Sequence, residues 1–197
     1  MRKVLVTGGA GFIGSHFVRH ILMQHDGYEV VNLDKLTYAG NPDNLLDIEG
    51  GPLAKRYRFV KGDICDPALV GQLIGEVDAV VNFAAESHVD RSLLEPAPFI
   101  QTDVYGTYCL LSAVAEASGR IERVLHISTD EVYGEVPAPR RSKEDDPLHP
   151  RSPYSASKAG GDMQCIAFIE THRLPVVIAR PCNNIGQYGS GRFDGGL

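Results

Sequence analysis

The sequence predicts an α/β fold built on one doubly wound parallel sheet, with strand order 3-2-1-4-5-6. Three observations carry that prediction. Short apolar runs rich in β-branched residues alternate with helical stretches along nearly the whole chain. The first run, Arg2 to Thr7, enters the turn Gly8-Gly9-Ala10-Gly11-Phe12-Ile13-Gly14 without a spacer. Asp34 closes the second run, 20 residues past Gly14. A glycine turn between a first strand and a first helix, followed by an acidic residue at the end of the next strand, is the setting in which backbone amides hold a pyrophosphate and a carboxylate holds a ribose.

Each element has its own signal. After the glycine turn, Phe12, Ile13, His16, Phe17, Ile21 and Leu22 form a stripe of helical period. Val30 to Leu33 is the second strand, and Asp34 at its end favours NAD over NADP, because a carboxylate accepts from a ribose diol and repels a 2′-phosphate. The alternative for Asp34 is a residue that caps the next turn. Residues 38 to 46 read as loop, with a short helix after Pro42. Tyr57 to Val60 is the third strand, which places Asp63 and Ile64 at its C-terminal end, where Asp63 could hold an adenine amino group. A short helix over 69–74 leads to the fourth strand, 78–83, and the small pair Ala84-Ala85 lets a cofactor ribose pass close to the backbone. Ser87 and His88 fall in a polar cluster at the same sheet end, which reads as substrate contact or as loop structure. His88 has no second His or Cys at ligand spacing, so no metal is expected. Pro96 to Ser118 reads as a long helix interrupted by Gly106, with apolar residues on more than one face, so it is deeply packed or shared with a second chain. The fifth strand is 123–128, and a charged, Pro-rich connection over 134–150 has the length of a functional flap. A helix from Tyr154 to about Thr171 and a sixth strand over 175–180 complete the sheet.

The 197 residues, 43% of them hydrophobic, suit one domain with one good core. A formal charge of −6 argues against a nucleic-acid partner, which needs clustered Lys and Arg. No apolar run reaches the length of a membrane span, and the N-terminus reads as a strand running into glycines, not as a signal peptide. Cys65, Cys109, Cys165 and Cys182 stand far apart, as reduced packing residues of a cytoplasmic protein do.

The chemistry centres on Ser128-Thr129-Asp130-Glu131, at the C-terminal end of strand five, and on Tyr154 and Lys158 downstream. Positions four apart share a helix face, so Lys158 can set its ammonium near the Tyr154 phenol and lower its pKa toward that of a usable base. A nicotinamide beside such a phenolate implies hydride transfer at an alcohol carbon, with Thr129 holding the hydroxyl in line. Asp130 and Glu131 add a second acid and base, whose economical use is elimination. Once a sugar's C4 is a ketone its C5 proton is acidic; Glu131 could remove that proton while Asp130 protonates the departing C6 hydroxyl.

Segments 7–15, 84–92, 128–134 and 154–160 resemble the extended short-chain dehydrogenase/reductase superfamily, a Rossmann-fold group, and within it the dTDP-glucose 4,6-dehydratases. The Thr-Asp-Glu triplet is the specific part, since related epimerases and decarboxylases usually carry other residues at the position of Asp130. The resemblance implies a nucleotide-activated hexose as substrate, NAD as the resident hydride carrier, and Thr129, Tyr154 and Lys158 as the oxidoreductive set. It implies Gly8, Gly11, Phe12, Ile13, Gly14, Asp34, Asp63, Ile64, Ala84, Ala85, Tyr154 and Lys158 against the cofactor, and Ser87, His88, Asn183 and Asn184 toward the substrate. It also implies a homodimer through two long helices, 96–118 and 154–171. The family continues Asn-Asn-Tyr-Gly-Pro after strand six, whereas this chain has Asn183-Asn184-Ile185-Gly186-Gln187-Tyr188. Residues 1–186 therefore read as the NAD-binding domain and 187–197 as a divergent tail, with a substrate domain absent and activity impaired. A non-catalytic NAD-binding remnant, or an epimerase or reductase of the same superfamily, is the alternative.

Overall fold

A computed structural model describes residues 1–186; the tail over 187–197 lies outside the described residues. Six strands form one parallel sheet in the order β3-β2-β1-β4-β5-β6: β1 Arg2–Thr7, β2 Tyr28–Asp34, β3 Tyr57–Lys61, β4 Ala79–Asn82, β5 Arg123–Ile127 and β6 Val176–Ala179. The predicted order holds, and the strand ends move by one or two residues.

The central strands are apolar on both sides because helices cover both faces. Leu5, Val31 and Val80 face one layer, where they meet Val70, Leu73 and Ile74 of α3 (Pro67–Ile74) and Leu110 and Val114 of α6 (Thr107–Glu116). Val4, Val6 and Val30 face the other, against Val18, Ile21 and Leu22 of α1 (Phe12–Gln24) and Ile48 of the short α2 (Leu46–Glu49). One residue of register thus separates two cores, and a slip by one would exchange them.

Two regions depart from the sequence expectation. The polar stretch after β4 contains a helix, α4 (Val89–Leu94), that no apolar stripe announces. The expected long helix over 96–118 is a composite: a turn α5 (Ala97–Phe99), a π-helical stretch Ile100–Gly106, then α6. Gly106 does not break it. The wide π turns press this segment against α7 (Pro153–His172), where a Cβ at Gly161 would stand 2.8 Å from the Asp103 carbonyl, so only glycine allows the approach. α7 starts on a capping box, with the Ser152 and Ser155 side chains each bonded to the other's backbone N–H and Pro153 in the first turn, which fixes its first residues within one turn of Tyr154.

Candidate active site

At Gly8 and Gly14 of the glycine turn there is no room for a side chain. Gly8 has φ +70°, and a Cβ there would stand 2.6 Å from the Ala84 nitrogen; at Gly14 it would stand 2.3 Å from the Gly8 carbonyl oxygen. α1 then begins with Gly11 as N-cap and no side-chain cap, leaving Phe12 and Ile13 in a first turn suited to an anion. Asp34 is buried at the end of β2, and both its oxygens already work: one accepts from Ala10 N at 2.9 Å, the other from Leu36 N at 2.8 Å. It is therefore a turn brace as well as a ribose candidate, since each carboxylate oxygen keeps a further lone pair.

Asp63 forms an ion pair with Lys35 at 2.6 Å and accepts from the Cys65 amide at 2.9 Å. Burial pushes its carboxyl up, but Lys35 and the Cys65 amide outweigh that and hold it below its usual value. The Ile64 side chain is buried in the core beneath α6. Ala84 lies against Gly8, and its amide reaches toward Thr7 Oγ1, with Ala85 next to it at the mouth of the site. Ser87 and His88 meet Tyr38 from the loop after β2: the Tyr38 hydroxyl donates to the Ser87 carbonyl at 2.7 Å, and the two rings of Tyr38 and His88 lie 5.9 Å apart. Asn183 and Asn184 are exposed just past β6, and Asn184 turns back to donate to the Cys182 carbonyl at 3.2 Å. Near them opens a cleft of about 1090 Å³ lined by Asp130, Tyr133, Lys143, Arg180 and Cys182.

Thr129 ends the β5 segment and caps a short turn, Asp130–Tyr133, by accepting from the Glu131 amide at 3.3 Å. That turn fans Asp130 and Glu131 outward, and both are exposed while Thr129 is buried. Although Glu131 keeps much of its surface in water, partial desolvation and then the neighbouring Asp130 raise its carboxyl above its usual pKa. Tyr154 faces this turn from α7. Its phenol is pushed up to about 12, first by burial and next by Glu131, with the hydroxyl of Thr129 pulling the other way.

The expectation that Lys158 lowers the Tyr154 pKa fails here for a geometric reason. The buried Lys158 ammonium donates to the Ile127 carbonyl at 2.7 Å, on the last residue of β5, and is not among the groups that chiefly set the phenol's pKa. Helical spacing places the two on one face but leaves open which way the longer chain points.

Sequence reasoning missed Asp103. It lies on the π-helical stretch, is 2% exposed, and ties two parts of the site together. One oxygen accepts from the Glu86 amide at 2.9 Å, in the loop after β4; the other accepts from Ser157 Oγ at 2.6 Å, between Tyr154 and Lys158. Burial raises its carboxyl to about 6 against the pull of Lys158. The available signal was a charged residue inside an apolar helical stretch. Behind it, Thr7, Asn82 and His126 form a buried chain of polar groups through the sheet, with Thr7 Oγ1 on Asn82 at 2.5 Å and Asn82 on His126 Nδ1 at 3.1 Å. His126 is pushed down to about 3 by burial and by Lys158, so it stays neutral although Asp162 lies 3.8 Å from its other nitrogen.

The glycine cradle, an uncapped helix start and a strand-end carboxylate with spare lone pairs fit a dinucleotide, and the sheet end beside the cradle gathers a phenol, an ammonium, a hydroxyl and two carboxylates. Fold and site together define a Rossmann-type α/β protein with a Tyr-x-x-x-Lys helix. The chain belongs to the family described as GDP-mannose 4,6 dehydratase, whose sequence model matches residues 5–195. It is 55% identical over 183 residues to the low-salt glycan biosynthesis protein Agl12 of Haloferax volcanii, covering 93% of this chain and 57% of that protein. With the dTDP-glucose 4,6-dehydratase of Streptomyces niveus it shares 48% over 190 residues, 94% of this chain and 55% of the relative. The crystal structure of DesIV, a dTDP-glucose 4,6-dehydratase from Streptomyces venezuelae with NAD bound, superposes with a TM-score of 0.88 at 49% identity, covering 94% of this chain and 57% of that one. A UDP-glucose 4-epimerase of Thermus thermophilus in complex with NAD gives 0.78 at 34% identity, covering 90% of this chain and 54% of that one. The chain thus spans a little over half the length of these relatives. Among the described residues no helix is long and apolar enough to cross a membrane, no group of three His, Cys, Asp or Glu could hold a metal ion, and the four cysteines are free.

Proposed function

We propose that this chain is the cofactor-binding and catalytic part of a cytoplasmic, NAD-dependent nucleotide-sugar 4,6-dehydratase acting on a dTDP-hexose. The observation that carries the reading is the Thr129-Asp130-Glu131 turn facing Tyr154, an acid, a base and a phenol at the sheet end beside a dinucleotide cradle. NAD, when bound, takes up and later returns a hydride. Gly8, Gly11, Phe12, Ile13 and Gly14 cradle its pyrophosphate, Asp34 its ribose and Asp63 its adenine, while Ala84 and Ala85 leave room for the backbone to approach. Tyr154 takes the C4 hydroxyl proton, and Thr129 orients that hydroxyl. Glu131 then removes the C5 proton, and Asp130 gives a proton to the C6 oxygen as it departs as water. For Tyr154 to act as a base, its pKa must come down from about 12, and Lys158 is the nearest cation on its own helix. Ser87, His88, Asn183 and Asn184 contact the sugar nucleotide.

The same reading includes a homodimer. Tyr105 and Tyr108 are 41% and 45% exposed, and on α7 Met163 and Ile166 are 46% and 38% exposed. Tyr108 also contacts Phe168 across the two helices, with ring centroids 6.2 Å apart, so the apolar face is continuous. A second copy covering it would form the four-helix contact that the resemblance implies.

The test is direct. Protein loaded with NAD and given dTDP-glucose is expected to form a 4-keto-6-deoxy sugar, slowly from the 197 residues alone, and to bind NAD more tightly than NADP. Formation of a C4 epimer in place of that product would move the chain to the epimerases, and tighter NADP binding would remove Asp34 from its role.

A further inference from the structure

We infer that Tyr38 is a clasp over the dinucleotide site, gating entry and exit of the cofactor; this rests on the NAD binding proposed above. The sheet order puts β1 between β2 and β4. A contact from the loop after β2 to the loop after β4 must therefore cross the C-terminal end of β1, where the glycine turn begins. Tyr38 makes that contact. Its hydroxyl donates to the Ser87 carbonyl at 2.7 Å, accepts from the Ser87 amide at 3.2 Å and lies 3.1 Å from Ser87 Oγ. The Arg91 guanidinium from α4 sits 3.5 Å above its ring.

Both feet of the crossing are fastened. On one side the Asn41 amide and the Asn44 side chain donate to the Ala10 carbonyl at 3.1 and 2.9 Å, and Asp34 holds the Ala10 amide. On the other, Ala84 lies against Gly8 with no room for a Cβ between them. Chain and clasp together make a closed ring. Two non-glycine residues with positive φ stand at its feet, Leu36 at 57° and His88 at 77°. Such strain persists where surroundings enforce it, and clusters at ligand clamps and switches. Tyr38 is 45% exposed, so packing into a core does not explain four contacts on one side chain.

Lying along the sheet edge with its pyrophosphate on the glycine turn, a dinucleotide would run the same way as the Tyr38 crossing, from Asp34 after β2 toward Ala84 after β4, so the crossing would lie over its pyrophosphate and bar its path away from the sheet edge. The clasp must open for exchange in either direction, which keeps the cofactor resident between turnovers.

The experiment is stopped-flow binding of NADH, followed by its own fluorescence, to the full 197-residue chain and to Tyr38→Phe and Tyr38→Ala. Thermal melting confirms that these half-exposed substitutions leave the fold intact. Association and dissociation should both accelerate by about tenfold in Tyr38→Ala, less in Tyr38→Phe, which keeps the ring under Arg91, and the equilibrium constant should move by less than about threefold. Faster dissociation with unchanged association would make Tyr38 an ordinary cofactor contact and overturn the clasp, as would unchanged rates in both variants. A wild-type chain that binds no NADH would instead refute the NAD reading and remove the clasp with it.

Discussion

Replacing Asp103 by asparagine should stabilise the protein at neutral pH and leave it unchanged in acid. The carboxyl is buried, and its pKa rises from the ordinary 3.8 to about 6, chiefly because burial disfavours the charge. Between those two values the native state holds a proton that the unfolded chain has released, so unfolding free energy falls as pH rises. The stability tied to the protonated acid is fully present below about 4 and is lost as pH climbs through 6. A rise of about two pH units at about 1.4 kcal/mol each gives roughly 3 kcal/mol. Asparagine imitates the protonated acid: its oxygen can accept from the Glu86 amide, and its NH₂ can donate to Ser157 Oγ, which is also 2.8 Å from the Tyr154 carbonyl. Urea denaturation of both proteins from pH 4 to 8 is the assay, with a difference near zero at pH 4 growing to about 3 kcal/mol at pH 8. His126, held down near 3, gives a slope of opposite sign in both proteins and cancels in the difference. A difference that is flat with pH, or that favours the wild type at pH 8, would show that Asp103 is ionised without cost and that the argument from burial is wrong.

Gly14→Ala should abolish NAD binding and lower stability, because the added Cβ meets backbone at 2.3 Å and cannot be relieved by turning a side chain; calorimetric titration with NAD and a melting curve check both parts. In a version that turns over, Tyr154→Phe should retain NAD and lose hydride transfer by about 10²–10⁴-fold, read as the rate of NADH appearance in a single turnover. Glu131→Gln in the same protein should still oxidise C4 but lose exchange of the C5 proton with solvent, and wild-type exchange would assign the base elsewhere.

What was legible in the sequence was whatever a short window fixes. The strand order follows from alternating strands and helices with right-handed crossovers, the glycine turn from backbone sterics within seven residues, and the shared face of Tyr154 and Lys158 from helical period. The glycine turn and the shared helix face depend on neighbours in the chain, so residue types at given spacings suffice; the strand order joins distant strands, such as β1 and β4, but through a connection rule that the glycine turn after β1 calls up. The structure decided whatever depends on residues far apart in sequence. Lys158 finds its acceptor 31 residues away, Ser157 meets Asp103 across 54, and Tyr38 reaches Ser87 across 49. No local pattern encodes those distances. The pKa values follow the same division: spacing suggested a phenol lowered by a lysine, but desolvation is a property of the whole surround, and the packing of α7 over β5 pushes Tyr154 up while turning Lys158 toward the sheet. The sequence thus determined which groups stand at the sheet edge, and tertiary packing determined which of them touch and in what state of charge.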